Sequence, residues 1–175
     1  MAPRIVLLAL LAAPSLALAQ PTVTVRFPAA RSAKPLDGRL LLLLSIDPSD
    51  EPRNQIDFGP RTQVVFGVDV EGWAPGTPRT VGGPGTAGFP LTALKDVPRG
   101  TYRVQALLNR YETYHLADGR VLKLPPDRWE GQHWNLKPGN LYSTTREVAW
   151  TGKGTLELTL DQELPPVDDF AKQET

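Results

Sequence analysis

Residues 95–109 read KDVPRGTYRVQALLN. A Pro-Arg-Gly turn at 98–100 leads into a segment whose side chains alternate. Tyr102, Val104, Ala106 and Leu108 fall on one face, and Arg103, Gln105 and Asn109 on the other. Successive strand residues point to opposite sides, so the pattern predicts a strand with one packed face and one wet face. Tyr102 adds a second mark. In immunoglobulin-like sandwiches a Tyr near the start of such a strand packs its ring inward, and its hydroxyl bonds back to the connecting backbone. Tyr102 is expected to form that corner, which is a stability role.

The same period of two recurs on either side. Val23, Val25 and Phe27 alternate with Thr22, Thr24 and Arg26. Val64, Phe66, Val68 and Val70 are expected inward, with Gln63 and Asp69 outward. Leu156, Leu158 and Leu160 alternate with Thr155, Glu157 and Thr159. Shorter strands are expected at 121–124 and 146–150. Asp37-Gly38 and Asp118-Gly119 are turn signals, because Asp-Gly favours the positive φ of tight hairpins. Residues 72–88 read as an irregular loop, and 91–96 as a short helix or 3-10 turn. No apolar stripe is long enough for a core helix. The expected fold class is all-β, an immunoglobulin-like antiparallel β-sandwich with long loops.

One strand breaks the alternation. Leu40 to Leu44 is an uninterrupted leucine run, so both of its faces are apolar. Something must cover the outer one. Two readings stand: cover by the chain's own 111–146 segment, or a docking face for a second domain or subunit that uses Leu40, Leu42 and Leu44.

Composition bounds the function. The chain has 175 residues, enough for one domain, and 41 % are hydrophobic, too many for a disordered chain. Gly is 15 and Pro is 18, together well above the roughly 12 % of average usage, as short strands with many turns require. Lys plus Arg and Asp plus Glu are 19 each. A nucleic-acid binder that tracks phosphates would need a basic excess, so no nucleic-acid partner is expected. Cys is 0, which excludes disulfides, thiolate metal sites and a thiol nucleophile.

Residues 1–19, MAPRIVLLALLAAPSLALA, have a positive Arg4, an apolar run from Ile5 to Ala13, and a small-x-small end at Ala17-Leu18-Ala19. This is the form of a secretory signal peptide cleaved after Ala19. The run falls short of the roughly 20 apolar residues that a membrane span needs. The expected organisation is a signal at 1–19, a sandwich domain at 20–162 and a Pro-rich, linker-like tail at 163–175. The expected location is the periplasm or the outside of the cell.

The segment 110–143 does not read as scaffold. It carries Tyr111, Tyr114, Trp129, Trp134 and Tyr142 among mixed charges that include Arg128. Aromatic and polar groups on a long loop over a rigid sheet suit a sugar or another ring ligand. The candidate ligand set is Tyr111, Tyr114, Arg128, Trp129 and Trp134. The competing reading is that these rings anchor the loop to the sheet. His115 and His133 are the chain's two histidines. With Asp118, Asp127 or Glu130 their spacing fits no metal-ligand pattern, so no metal is expected. The acidic stretch 47–57 lacks the Asp-x-Asp-x-Asp-Gly order of a calcium loop. There is no Gly-x-Ser-x-Gly elbow, phosphate loop or His-Glu-x-x-His, so neither a catalytic set nor a cofactor is expected.

Three runs carry a resemblance: GRLLLLLSIDPSDEPRNQID at 38–57, TQVVFGVDVEGWAPG at 62–76, and DVPRGTYRVQALLNRYETYHLADGRVLKLPPDRWEGQHWNLKPGNLYS at 96–143. Within them, Arg110-Tyr111-Glu112-Thr113 and Pro138-Gly139-Asn140-Leu141-Tyr142-Ser143 are the most specific. The chain resembles the N-terminal, non-catalytic region of secreted bacterial esterases of the enterochelin-esterase-like α/β-hydrolase type. The resemblance spans about residues 22–168 and implies a β-sandwich ahead of a hydrolase domain. That domain would begin where this sequence stops, and no residue here matches its nucleophile, base or acid, so esterase activity is not carried over. The resemblance implies an accessory module that docks to or orients a hydrolase domain, in cis or in trans. The alternative is a carbohydrate- or small-ligand-binding module that uses the aromatic 111–142 loop.

Overall fold

A computed structural model describes residues 21–56, 63–128, 131 and 133–166. The expected signal at 1–19, Trp129 and most of the expected tail lie outside them. The strands in chain order are β1 (Thr22–Arg26), β2 (Leu36–Ser45), β3 (Val64–Trp73), β4 (Arg79–Val81), β5 (Ala87–Phe89) and β6 (Gly100–Arg110). They continue as β7 (Glu112–His115), β8 (Val121–Leu124), β9 (Leu141–Tyr142), β10 (Arg146–Trp150), β11 (Thr155–Thr159) and β12 (Gln162–Glu163). The helical elements among the described residues are 3-10 turns at Pro52–Asn54 and Leu94–Asp96. None is long and apolar enough to cross a membrane. The fold is an all-β sandwich, as the alternation predicts.

The larger sheet runs β12-β9-β6-β2-β3-β5, with β10 also pairing β6, and all its pairings are antiparallel. A smaller sheet, β11-β1-β4, lies against it. In it β1 pairs β4 antiparallel and β11 in parallel. The 72–88 segment is also more ordered than its Gly and Pro content suggests, since it holds β4 and β5. The first residues of the expected tail pair with the larger sheet. Glu163 pairs with Leu141, and Leu164 is buried and exchanges backbone hydrogen bonds with Gly139 and Asn140.

The core fills the space between the two sheets. Val23, Val25 and Phe27 enter from the β1 side, and Phe66, Val104, Ala106 and Leu108 from the larger sheet. The Phe27 and Trp73 rings meet edge to face, with centroids 4.9 Å apart and planes at 89°, an arrangement aromatic pairs favour. Tyr102 forms the expected corner, its hydroxyl donating to the Pro98 carbonyl at 3.1 Å. Tyr102→Phe keeps the ring and removes that bond. It should cost about 0.5–1.5 kcal/mol, read as a lower urea midpoint with an unchanged slope. An unchanged midpoint would mean that the corner bond adds nothing.

The leucine run resolves by alternation. Leu40, Leu42 and Leu44 are 0 %, 0 % and 1 % exposed and belong to the inter-sheet core. The docking-face reading of these three is therefore corrected: they present no surface to a partner. Leu41 and Leu43 point the other way and join Leu107 on the outer side of the sheet. Ile56, Val65, Trp134 and Tyr142 pack over them. The cover thus comes from this chain, partly from the 111–146 segment and partly from the 3-10 turn region near Ile56.

Asp37-Gly38 is not a turn. Both residues lie in β2, at a bulge in its pairing with β3. Glycine is required at 38 for a tertiary reason, since a Cβ there would stand 2.4 Å from the Asn109 carbonyl oxygen on the neighbouring strand. Asp118-Gly119 does form the expected hairpin turn, with Gly119 at φ 84.

Candidate functional site

The segment after β6 leaves the sheet at Arg110 and turns at once into the β7–β8 hairpin. Cross-strand partners share a face, so Tyr114 stands beside Leu122 and Glu112 beside Leu124, while Lys123 and Thr113 face the other way. Lys123 moors the hairpin to the body through ion pairs with Asp37, at 3.0 Å, and with Glu71. These bonds hold the Lys123 ammonium above its usual pKa, the hydrogen bond to Glu71 first and that to Asp37 next. The Gly72 N–H, at 2.6 Å, and then Lys123 hold the Asp37 carboxyl below its usual pKa. The Asp37 carbonyl also accepts the Tyr111 N–H at 2.9 Å.

Between the root of this hairpin, the stretch 126–128, the turn 137–139 and the last described residues lies an open cleft of about 530 Å³. Its charged lining is Arg110, Glu112, Arg128, Lys137 and Glu163, with Tyr111 beside them. Buried polar groups fix the chain segments that line it. Asn140 is fully buried; its Oδ1 accepts the Arg110 N–H at 2.9 Å and its Nδ2 donates to the Trp134 carbonyl at 2.7 Å. Lys137 is 2 % exposed and donates to the Arg110 carbonyl at 2.6 Å. The Arg110 guanidinium donates to the Gly139 carbonyl at 3.0 Å. Arg128 pairs with Glu112 on the rim. The Tyr111 hydroxyl has a raised pKa, from burial first and then from the nearby Asp69 charge.

The sequence-predicted ligand set does not form one platform. Tyr111 and Arg128 line the cleft. Tyr114 sits on the exposed hairpin, 38 % accessible, and is not part of the cleft wall. Trp134 packs over the outer leucines, as the loop-anchoring reading proposes. Trp129 lies outside the described residues. Both histidines are exposed, and no group of three or more metal-ligand side chains occurs among the described residues.

The aromatic reading missed Arg110, Lys137, Gly139 and Glu163 as site residues. Pro138-Gly139 was the available signal: Gly139 takes φ 81, and this turn brings 137 and 139 beneath Arg110. Glu163 was assigned to the tail. Compared with protein families, curated proteins and solved structures, this chain matches none of them.

Proposed function

We propose that this chain is a non-catalytic accessory module of a secreted, esterase-like protein, and that it works by binding a small polar ligand in the cleft beside β7. The observation that carries this reading is the cleft itself: about 530 Å³, open, and walled by charged groups of both signs, with the Arg110 main chain held by buried Asn140 and Lys137. Few, convergent polar groups on a rigid scaffold are the usual make-up of a ligand site. The signal-like 1–19 segment supports a periplasmic or secreted location, and the resemblance to the region ahead of an esterase domain supports the accessory role.

Docking to a hydrolase domain is the second reading. One observation favours it: Glu163, Leu164 and Pro166 form a wall of the cleft, so the last described residues run along its rim.

Titrating the 15N-labelled chain with a panel of sugars, amino acids and dicarboxylates tests the first reading. Amide shifts are expected at 110–112, 137, 139 and 163–164. A panel that moves none of these overturns it. Sedimentation of the chain with a relative's isolated hydrolase domain tests the second, and no association at tens of micromolar overturns that one.

A further inference from the structure

The turn at Gly139 leaves a gap of definite chemistry in the cleft. A Cβ on residue 139 would stand 3.7 Å from an Arg110 guanidinium nitrogen and 3.9 Å from a Glu163 carboxylate oxygen. A guanidinium donor and a carboxylate acceptor therefore flank one small space that glycine keeps open. The two side chains do not pair with each other, although each is within reach of that space. That same Arg110 nitrogen, Nη1, donates to the Gly139 carbonyl, and as an –NH2 group of the guanidinium it has a second N–H to offer. The Glu163 side chain accepts no hydrogen bond and forms no ion pair among the described residues.

We infer that Arg110 and Glu163, across the Gly139 gap, form a subsite for a pair of neighbouring hydroxyl groups on a neutral saccharide. This inference rests on the cleft being the binding site and names its ligand class. A hydroxyl donates and accepts at once, so one of the pair accepts from Arg110 while the other donates to Glu163. The cleft's charges argue for a neutral ligand. An anion that approaches Arg110 also meets Glu163 and Glu112, and a cation that approaches Glu163 meets Arg110 and Lys137. Hydroxyls satisfy both signs without repulsion. Half-buried Tyr111 also lines the cleft, and an aromatic side chain among polar groups is the combination that sugar rings fit.

Calorimetric titration of the full chain with cellotetraose, xylotetraose and mannotetraose, against tetragalacturonic acid as the anionic probe, tests it. At least one neutral tetrasaccharide should bind, and tetragalacturonic acid should bind more weakly. Glu163→Gln should weaken the neutral ligand about tenfold or more, because a hydrogen bond to a charged acceptor is lost. Its side chain is exposed and its backbone pairing with Leu141 is untouched, so circular dichroism should be unchanged. Arg110→Lys, which removes the fork but keeps the charge, should weaken binding similarly. Preferential binding of the acidic sugar, or neutral binding indifferent to Glu163→Gln, overturns the inference and leaves the cleft a binding site. Neutral sugars that stay silent while another ligand of the wider panel shifts the cleft amides overturn it in the same way. Silence of every ligand removes both readings.

Discussion

Leu42→Ala should lower the unfolding free energy by about 2–5 kcal/mol. Leu42 is fully buried at the centre of β2, opposite Phe66 on β3 and Ala106 on β6. Strands bonded on both sides cannot close in on the vacated space, so the cost includes a cavity as well as lost transfer free energy. A urea midpoint that falls with the slope preserved would report it. Leu124→Ala supplies the contrast. Leu124 is 48 % exposed on the hairpin, and its truncation should stay within about 0.5 kcal/mol. If Leu42 behaved like Leu124, it would be a surface residue, and the inter-sheet core would be misplaced.

The leucine run shows where sequence reading succeeds and where it stops. Alternation alone requires that Leu41 and Leu43 face away from Leu40, Leu42 and Leu44, and it requires a cover for whichever set is outside. It carries no information about the cover, because Ile56, Trp134 and Tyr142 reach the site through tertiary contacts from distant parts of the chain. Asp37-Gly38 fails for a related reason. Glycine is demanded both by positive φ and by close backbone approach. Only the neighbouring strand, with the Asn109 carbonyl against position 38, tells the two apart. Tyr102 and Asp118-Gly119 were legible because their partners lie within a few residues.

The site was less legible than the fold. Aromatic and charged content pointed to a segment that lines the cleft through Tyr111 and Arg128, but it also selected Trp134, whose ring serves the outer core. A buried lysine and a glutamate on a closing two-residue strand leave no local pattern. Lys137 reads as a surface charge until the Arg110 carbonyl is placed above it. Glu163 reads as tail until its pairing with Leu141 draws it to the cleft. Residues that act together across more than fifty positions become visible as a site only after the sheet order is known.

Gln63 and Gln105 were both expected to face water, and both are buried. Gln105 is the more consequential. It is 1 % exposed on the outer side of β6 and ties three segments together. Its Oε1 accepts the Arg53 N–H at 3.1 Å, and its Nε2 donates to Glu51 at 2.9 Å and to the Ser143 carbonyl at 3.1 Å. Arg53 continues the network: it donates to Glu51 and to the Asn135 carbonyl, and its guanidinium lies 4.9 Å from the centre of the Tyr142 ring. This is how the cover over Leu41 and Leu43 is fastened. Gln105→Ala should therefore cost about 1–3 kcal/mol, because the Arg53 N–H and the Ser143 carbonyl lose their partner beneath the cover. Amide exchange at Arg53 should quicken more than exchange in the centre of β2.

The same variant should show a particular pH dependence. Burial pushes the Glu51 pKa up, but hydrogen bonds from Gln105 and Arg53 and the charge of Arg53 outweigh it, so the carboxyl sits below its ordinary 4.5. A depressed folded-state pKa stabilises the protein above the unfolded value, and that share disappears as pH falls through the folded value. The share is modest, because the Glu51 side chain is 39 % exposed and solvent screens it. The stability gap between the native chain and Gln105→Ala should thus be wider near neutral pH than well below 4.5. A gap that stays constant across that range would take Glu51 out of the fastening and leave the Arg53 and Ser143 bonds to hold the cover alone.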